Sequence, residues 1–110
     1  MNQAVSQLIA RHIVVRGRVQ GVGYRPFVLR QALANGIAGW VRNRGGEVEV
    51  HAEGSAANLE RFAAALISEA PPLARPETAD VSEIGIGSFE GFAIRDGAGG
   101  ASGPPTLPPD

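Results

Sequence analysis

Three glycines within seven residues, Gly17, Gly21 and Gly23, stand between an apolar β-branched run (Ile13, Val14, Val15) and a helix-compatible run (Val28 to Asn35). β-branched residues favour strands. The chain therefore turns from a strand into a helix through Gly17-Arg-Val-Gln-Gly-Val-Gly-Tyr-Arg-Pro-Phe27. Glycine permits tight bends and close approach of other groups, and Pro26 suits the first helical position because its φ is already helical. A turn of this kind points several free N–H groups into one small space at a helix N-terminus. Those donors and the helix dipole both favour negative charge. Arg25 stands at the same lip with a planar fork of donors suited to phosphate. The stretch reads as a phosphate cradle; the competing reading is a plain strand-to-helix turn.

The rest of the chain sets the frame around that loop. Residues 1–10 show weak patterning and read as an N-terminal arm. The first strand is expected over about 11–16 and the helix over about 26–35, with Val28, Leu29, Ala32 and Leu33 on one face. Asn35-Gly36 is a good helix stop. A second strand (37–43) leads through Arg44-Gly45-Gly46 into a third (47–53) that alternates: Val48, Val50 and Ala52 face one way, Glu47, Glu49, His51 and Glu53 the other. That predicts one packed face and one wet face, with His51 solvated. Ser55 reads as the N-cap of a second helix, in which Leu59, Phe62, Ala63, Leu66 and Ile67 form a core stripe ended by Pro71-Pro72. Strands follow at about 78–86 and 91–95, the second with Phe92 and Ile94 on one face. The Gly/Pro-rich residues 97–110 read as a linker or tail. The order βαββαβ, with two amphipathic helices on one face of an antiparallel sheet, is an α+β, ferredoxin-like sandwich over residues 11–96.

Charge and composition narrow what such a fold can do. The chain of 110 residues has a net charge of −1, so nothing draws it generally to nucleic acid or an anionic membrane. The acidic third strand carries no stacking aromatics, which argues against RNA binding. The halves differ: seven arginines against two acids give +5 in residues 1–50, and three arginines against nine acids give −6 in residues 51–110. The cradle lies in the positive half. With no cysteine and two histidines, neither a disulfide nor a metal site is expected. No run approaches the roughly 20 apolar residues of a membrane span, and no signal pattern opens the chain; a cytoplasmic protein is expected.

The loop departs from the nucleotide motifs. It has no Gly-x-x-x-x-Gly-Lys-Ser/Thr, and Gly21-Val22-Gly23 lacks the third glycine of the dinucleotide fingerprint. A single phosphoryl group fits better. A second feature, Gly39-Trp-Val-Arg-Asn43, ends the second strand. An asparagine amide both donates and accepts, so it can orient a water; asparagine is also common where strands end.

Residues 15–25, Val-Arg-Gly-Arg-Val-Gln-Gly-Val-Gly-Tyr-Arg, closely resemble the first acylphosphatase signature. Gly39-Trp-Val-Arg-Asn43, followed by Val48 and Gly54, resembles the second. The resemblance implies that the N–H groups of Gln20, Gly21, Val22, Gly23, Tyr24 and Arg25, with the Arg25 side chain, bind the phosphate. It implies that Asn43 orients the attacking water. Pro26-Phe27-Val28, the compact Asn43-to-Val48 turn and Pro71-Pro-Leu-Ala-Arg75 look like the N-terminal domain of HypF-type carbamoyltransferases. That likeness implies carbamoyl phosphate as substrate, inorganic phosphate as product, no cofactor for this domain and a role in [NiFe]-hydrogenase maturation. Pro-Thr-Leu-Pro-Pro-Asp110 resembles the segment before that family's zinc modules, so the chain reads as an excised domain whose partners are the downstream domains. A free-standing acylphosphatase and a carbamoyl-phosphate-binding regulatory domain are the alternatives.

Overall fold

The computed structural model describes residues 7–95; the expected linker, 97–110, and most of the expected arm lie outside them. The elements are β1 (Ile9–Arg18), α1 (Tyr24–Ala34), β2 (Ala38–Arg44), β3 (Glu47–Gly54), α2 (Ala56–Ser68), β4 (Arg75–Ile84) and β5 (Phe92–Ile94). They form one five-stranded sheet in the order β4-β1-β3-β2-β5. β1 begins inside the expected arm, with Ile9 opposite Gly54 and Ala10 opposite Glu53. Four strands are antiparallel neighbours, whereas β5 runs parallel to β2. The sheet is therefore mixed at one edge. The cause is topological: β4 ends beside Ala10, at the end of the sheet where β2 begins, and residues 85–91 cross there to deliver β5 beside Gly39.

Both helices cover the face that carries Val48 and Val50. Ile13, Val15, Val41, Val48 and Val50 from the sheet join Phe27, Val28, Leu59, Phe62 and Leu66 in one buried cluster. Each large side chain withdrawn from water there contributes about 1.5–3 kcal/mol. The Ser55 hydroxyl accepts from the Asn58 N–H at 3.2 Å, capping α2 as expected. α1 departs from its expected form. It starts at Tyr24, so Pro26 occupies the third helical position, where a missing N–H still costs nothing. Tyr24 and Phe27 anchor its buried stripe with Val28 and Ala32. Nine residues after Tyr24, half a turn out of phase at 100° per residue, Leu33 faces solvent and is 63% exposed. Ile67 at the edge of the α2 stripe and Ile94 in β5 are likewise exposed.

The expected wet face is covered. Glu49, His51 and Glu53 are 7%, 8% and 1% exposed, so His51 is buried, not solvated. The crossing connection lies over His51 and Glu53: the Gly87 N–H donates to Glu53, and the Phe89 ring meets His51 edge-on at 4.9 Å. Buried charge persists only when paired, and each acid is paired. His51 Nε2 lies 2.7 Å from Glu53 Oε2; Glu49 takes His12 Nε2 and Arg42 Nε, each at 2.7 Å. Burial pushes both carboxyls upward, but these hydrogen bonds outweigh it and hold both below the ordinary carboxylate value. Only Glu47 of the four is half-exposed, in an ion pair with Arg16 at 2.6 Å.

Candidate active site

β1, β2 and β5 all terminate at one end of the sheet, and α1 begins there. This end holds the cradle and Asn43 together. β1 stays paired to β4 through Arg18, with a register shift between Arg16 and Gly17. A side chain at Gly17 would collide with the Arg75 carbonyl oxygen at 2.3 Å. Gly17 therefore serves strand packing, separate from the loop proper.

The loop turns into α1 through Gly21 (φ 67°) and Gly23 (φ 76°), both left-handed, a region that disfavours side chains. Gly23 is the N-cap of α1 and makes no side-chain cap. The first helical bond runs from the Phe27 N–H to the Gly23 carbonyl, 3.3 Å. Among the described residues, none of the N–H groups of residues 20–25 donates to a backbone carbonyl. A Cβ at Gly21 or Gly23 would meet nothing within 4 Å, so the space beside both is open. Orphan donors at a helix N-terminus facing open space suit an anion.

The side chains in the loop divide by task. Tyr24 is buried, its hydroxyl donating to the Leu66 carbonyl at 2.8 Å, and burial drives its phenol far above the ordinary value. Only its N–H is left to the loop. Val22 packs against the core. The Gln20 amide donates to the Glu47 carbonyl at 3.2 Å, tying the loop to the β2–β3 hairpin. Arg25 is partly exposed and reaches the Arg95 carbonyl through Nη1 at 3.4 Å, a long contact that leaves most of its donors free.

Asn43 lies opposite Val48, on the helix face of β2 with Val41. Its Oδ1 is buried and, among the described residues, accepts no hydrogen bond. An orphaned buried acceptor is costly, and a donor from a water or a ligand would satisfy it. The Arg95 N–H donates to the Val41 carbonyl at 2.8 Å, two residues from Asn43, so a short chain of contacts links Asn43 to Arg25. Sequence reasoning gave Arg95 no part in this link. Its contribution is a backbone carbonyl at a strand end, which side-chain identity does not announce.

The arrangement offers dense N–H donors, a guanidinium and an amide acceptor at one end of a sheet, and can take a phosphoryl group with a water beside it. The acylphosphatase family model matches residues 11–94. Carbamoyltransferase HypF2 of Cupriavidus necator is 56% identical over 73 residues, 66% of this chain and 8% of that protein. The chain thus spans a small fraction of that relative. An acylphosphatase of Cupriavidus pinatubonensis is 46% identical over 76% of this chain and 92% of its own length. Among solved structures, acylphosphatase from Bacillus subtilis superposes with a TM-score of 0.75 at 37% identity, over 81% of this chain and 99% of that one. Full-length HypF in the phosphate- and nucleotide-bound form gives 0.82 at 31% identity, over 90% of this chain and 13% of that one. With the loop, the hairpin and the sheet that joins them all inside the matched span, this chain belongs to the acylphosphatase family and is an acylphosphatase-type hydrolase.

Proposed function

We propose that the chain hydrolyses the carboxyl– or carbamoyl–phosphate bond, with the phosphoryl group held by the N–H groups of residues 20–25 and by Arg25. The observation that carries this reading is the buried, unpartnered Asn43 Oδ1 at the same end of the sheet as a loop of unpaired donors. A cradle alone binds phosphate; a cradle with an orphan acceptor beside it also orients water.

An acyl phosphate carries a good leaving group, so catalysis is mainly positioning and charge stabilisation during in-line attack. Each charged hydrogen bond from loop or guanidinium contributes on the order of 1.5–3 kcal/mol. Asn43 Oδ1 accepts a hydrogen bond from the water and turns its lone pair toward phosphorus. Neither Arg25 nor Asn43 exchanges protons near neutrality, and His12 and His51 are committed to Glu49 and Glu53 on the opposite face. The phosphate itself takes the water proton. The charge stabilisation comes from protein donors, so EDTA leaves the rate unchanged and inorganic phosphate inhibits competitively.

Arg25→Ala lowers kcat by roughly 10²–10³, the cost of removing one donor to a developing oxyanion. Asn43→Ala lowers kcat while the inhibition constant for phosphate stays close to wild type. Steady-state kinetics on acetyl phosphate checks both. Near-normal turnover of Arg25→Ala, or parallel loss of turnover and phosphate affinity in Asn43→Ala, refutes the assignment.

We place the domain at the N-terminus of a HypF-type carbamoyltransferase, acting in hydrogenase maturation on carbamoyl phosphate. The 56% identity to the HypF2 segment supports this. The acylphosphatase of near-equal length supports a free-standing enzyme of broader substrate range instead. Hydrolysis of carbamoyl and acetyl phosphate side by side separates them, as do Cys-x-x-Cys pairs encoded beyond Asp110.

A further inference from the structure

The second signature contains a tryptophan that the reaction as described does not use. Trp40 lies on the face opposite the helices, two residues before Arg42 and three before Asn43. Two guanidinium groups lie over its indole, Arg42 at 5.0 Å and Arg95 at 4.9 Å. Arg95 also lies 5.6 Å from the Phe89 ring, and His51 stacks on Trp40 at 5.9 Å. Arg42 and Arg95 each follow directly after the last β2–β5 pair, Val41 with Ile94. Their like charges would part them, but Glu49 binds Arg42 at 2.7 Å and the π faces attract Arg95.

This clamp acts on a weak element. β5 has three residues and, among the described residues, pairs only with β2, and short edge strands fray readily. The Arg95 carbonyl lies just past its end and accepts from Arg25 Nη1. Its N–H is fixed to Val41 and its side chain to Trp40 and Phe89. We propose that Trp40 and Arg95 are positioning residues: the indole holds Arg95, and the Arg95 carbonyl holds the Arg25 fork in its phosphate-binding orientation. The proposal rests on the reading of Arg25 as the phosphate ligand. A fork held before substrate arrives loses less freedom on binding, so the clamp acts on phosphate affinity through Arg25 alone.

The test is a double-mutant cycle read by the inhibition constant of inorganic phosphate and by kcat/KM for acetyl phosphate. Arg95 is exposed, so Arg95→Ala removes no core. Arg95→Ala and Trp40→Ala each weaken phosphate inhibition about 3- to 10-fold, the size of one cation–π contact. Trp40→Phe, which keeps a π face, restores most of the loss. In an Arg25→Ala background, Arg95→Ala changes the inhibition constant by less than about 1.5-fold, since the group it positions is gone. If folded Arg95→Ala matches wild type, or loses as much without Arg25 as with it, the clamp does not act through Arg25 and the proposal fails. If Arg25→Ala itself leaves turnover and phosphate inhibition intact, the reading beneath it fails as well. The two failures are thus told apart by one added variant.

Discussion

On the helix side of β3, Val48, Val50 and Ala52 are buried beneath α1 and α2; on the other side Glu49, His51 and Glu53 are nearly as deep, Glu49 among His12 and Arg42, His51 and Glu53 beneath the connection 85–91. One strand is thus packed by opposite means. The helix side excludes water with hydrocarbon, which is indifferent to pH and tolerant of repacking. The other side excludes water from charges, which stay there only through partners at fixed distances. The candidate active site belongs to the helix side, at the end where strands stop and backbone donors are released. The ionic side fixes the connection that brings β5, and with it the Arg95 carbonyl, to that end.

Substitutions on the two sides should separate rate from stability and one kind of stability from another. The largest effect on folding is expected from Phe62→Ala in the helix-side core. It should cost about 3–5 kcal/mol, by lost transfer energy and the cavity left behind, measured by urea unfolding. The deficit should be the same at pH 7 and pH 4. Glu53→Ala strands His51 and the Gly87 N–H and should cost about 3 kcal/mol at neutral pH. Its deficit should shrink in acid, which is the sharper contrast.

The sign follows from the direction of the shifts. Glu49 and Glu53 both titrate below the ordinary value of 4.5. Their stabilisation is therefore fully present above that value and is lost as pH falls through their lower folded values. Wild type should lose Tm steadily below about pH 4.5, and Glu53→Ala should lose less. A Glu53→Ala deficit that is constant with pH would mean the carboxylate is a space-filler, and the contrast between the two faces would collapse.

Much of this was legible locally. Ser55 announced its helix because a hydroxyl beside a free N–H is a local event. The β3 alternation correctly divided its residues between two faces, and the turn into α1 was legible in Gly21 and Gly23 because loop glycines act where they stand in sequence; the role proposed for Asn43 came from the family resemblance, since its spacing alone reads as strand-end turn chemistry. What covers a face was not legible. Alternation says that Glu49, His51 and Glu53 point away from Val50, and nothing in their neighbourhood says that residues 85–91 arrive on top of His51 and Glu53. The parallel β5 was hidden for the same reason, since its direction is set by where β4 ends. Leu33 misled because helix phase depends on the start, and Tyr24 begins α1 two residues ahead of Pro26.

The central claim is that the N–H groups of residues 20–25 and Asn43 form one anion-and-water site, and amide chemical shifts test it most directly. Inorganic phosphate titrated into 15N-labelled protein should shift, saturably and with one dissociation constant, the backbone amides of Gly21, Gly23, Tyr24 and Arg25 and the Asn43 side-chain amide. The amides of Glu49, His51 and Glu53 should stay still. Shifts spread over the arginines of the opposite face, or no saturation in the loop, would contradict the account.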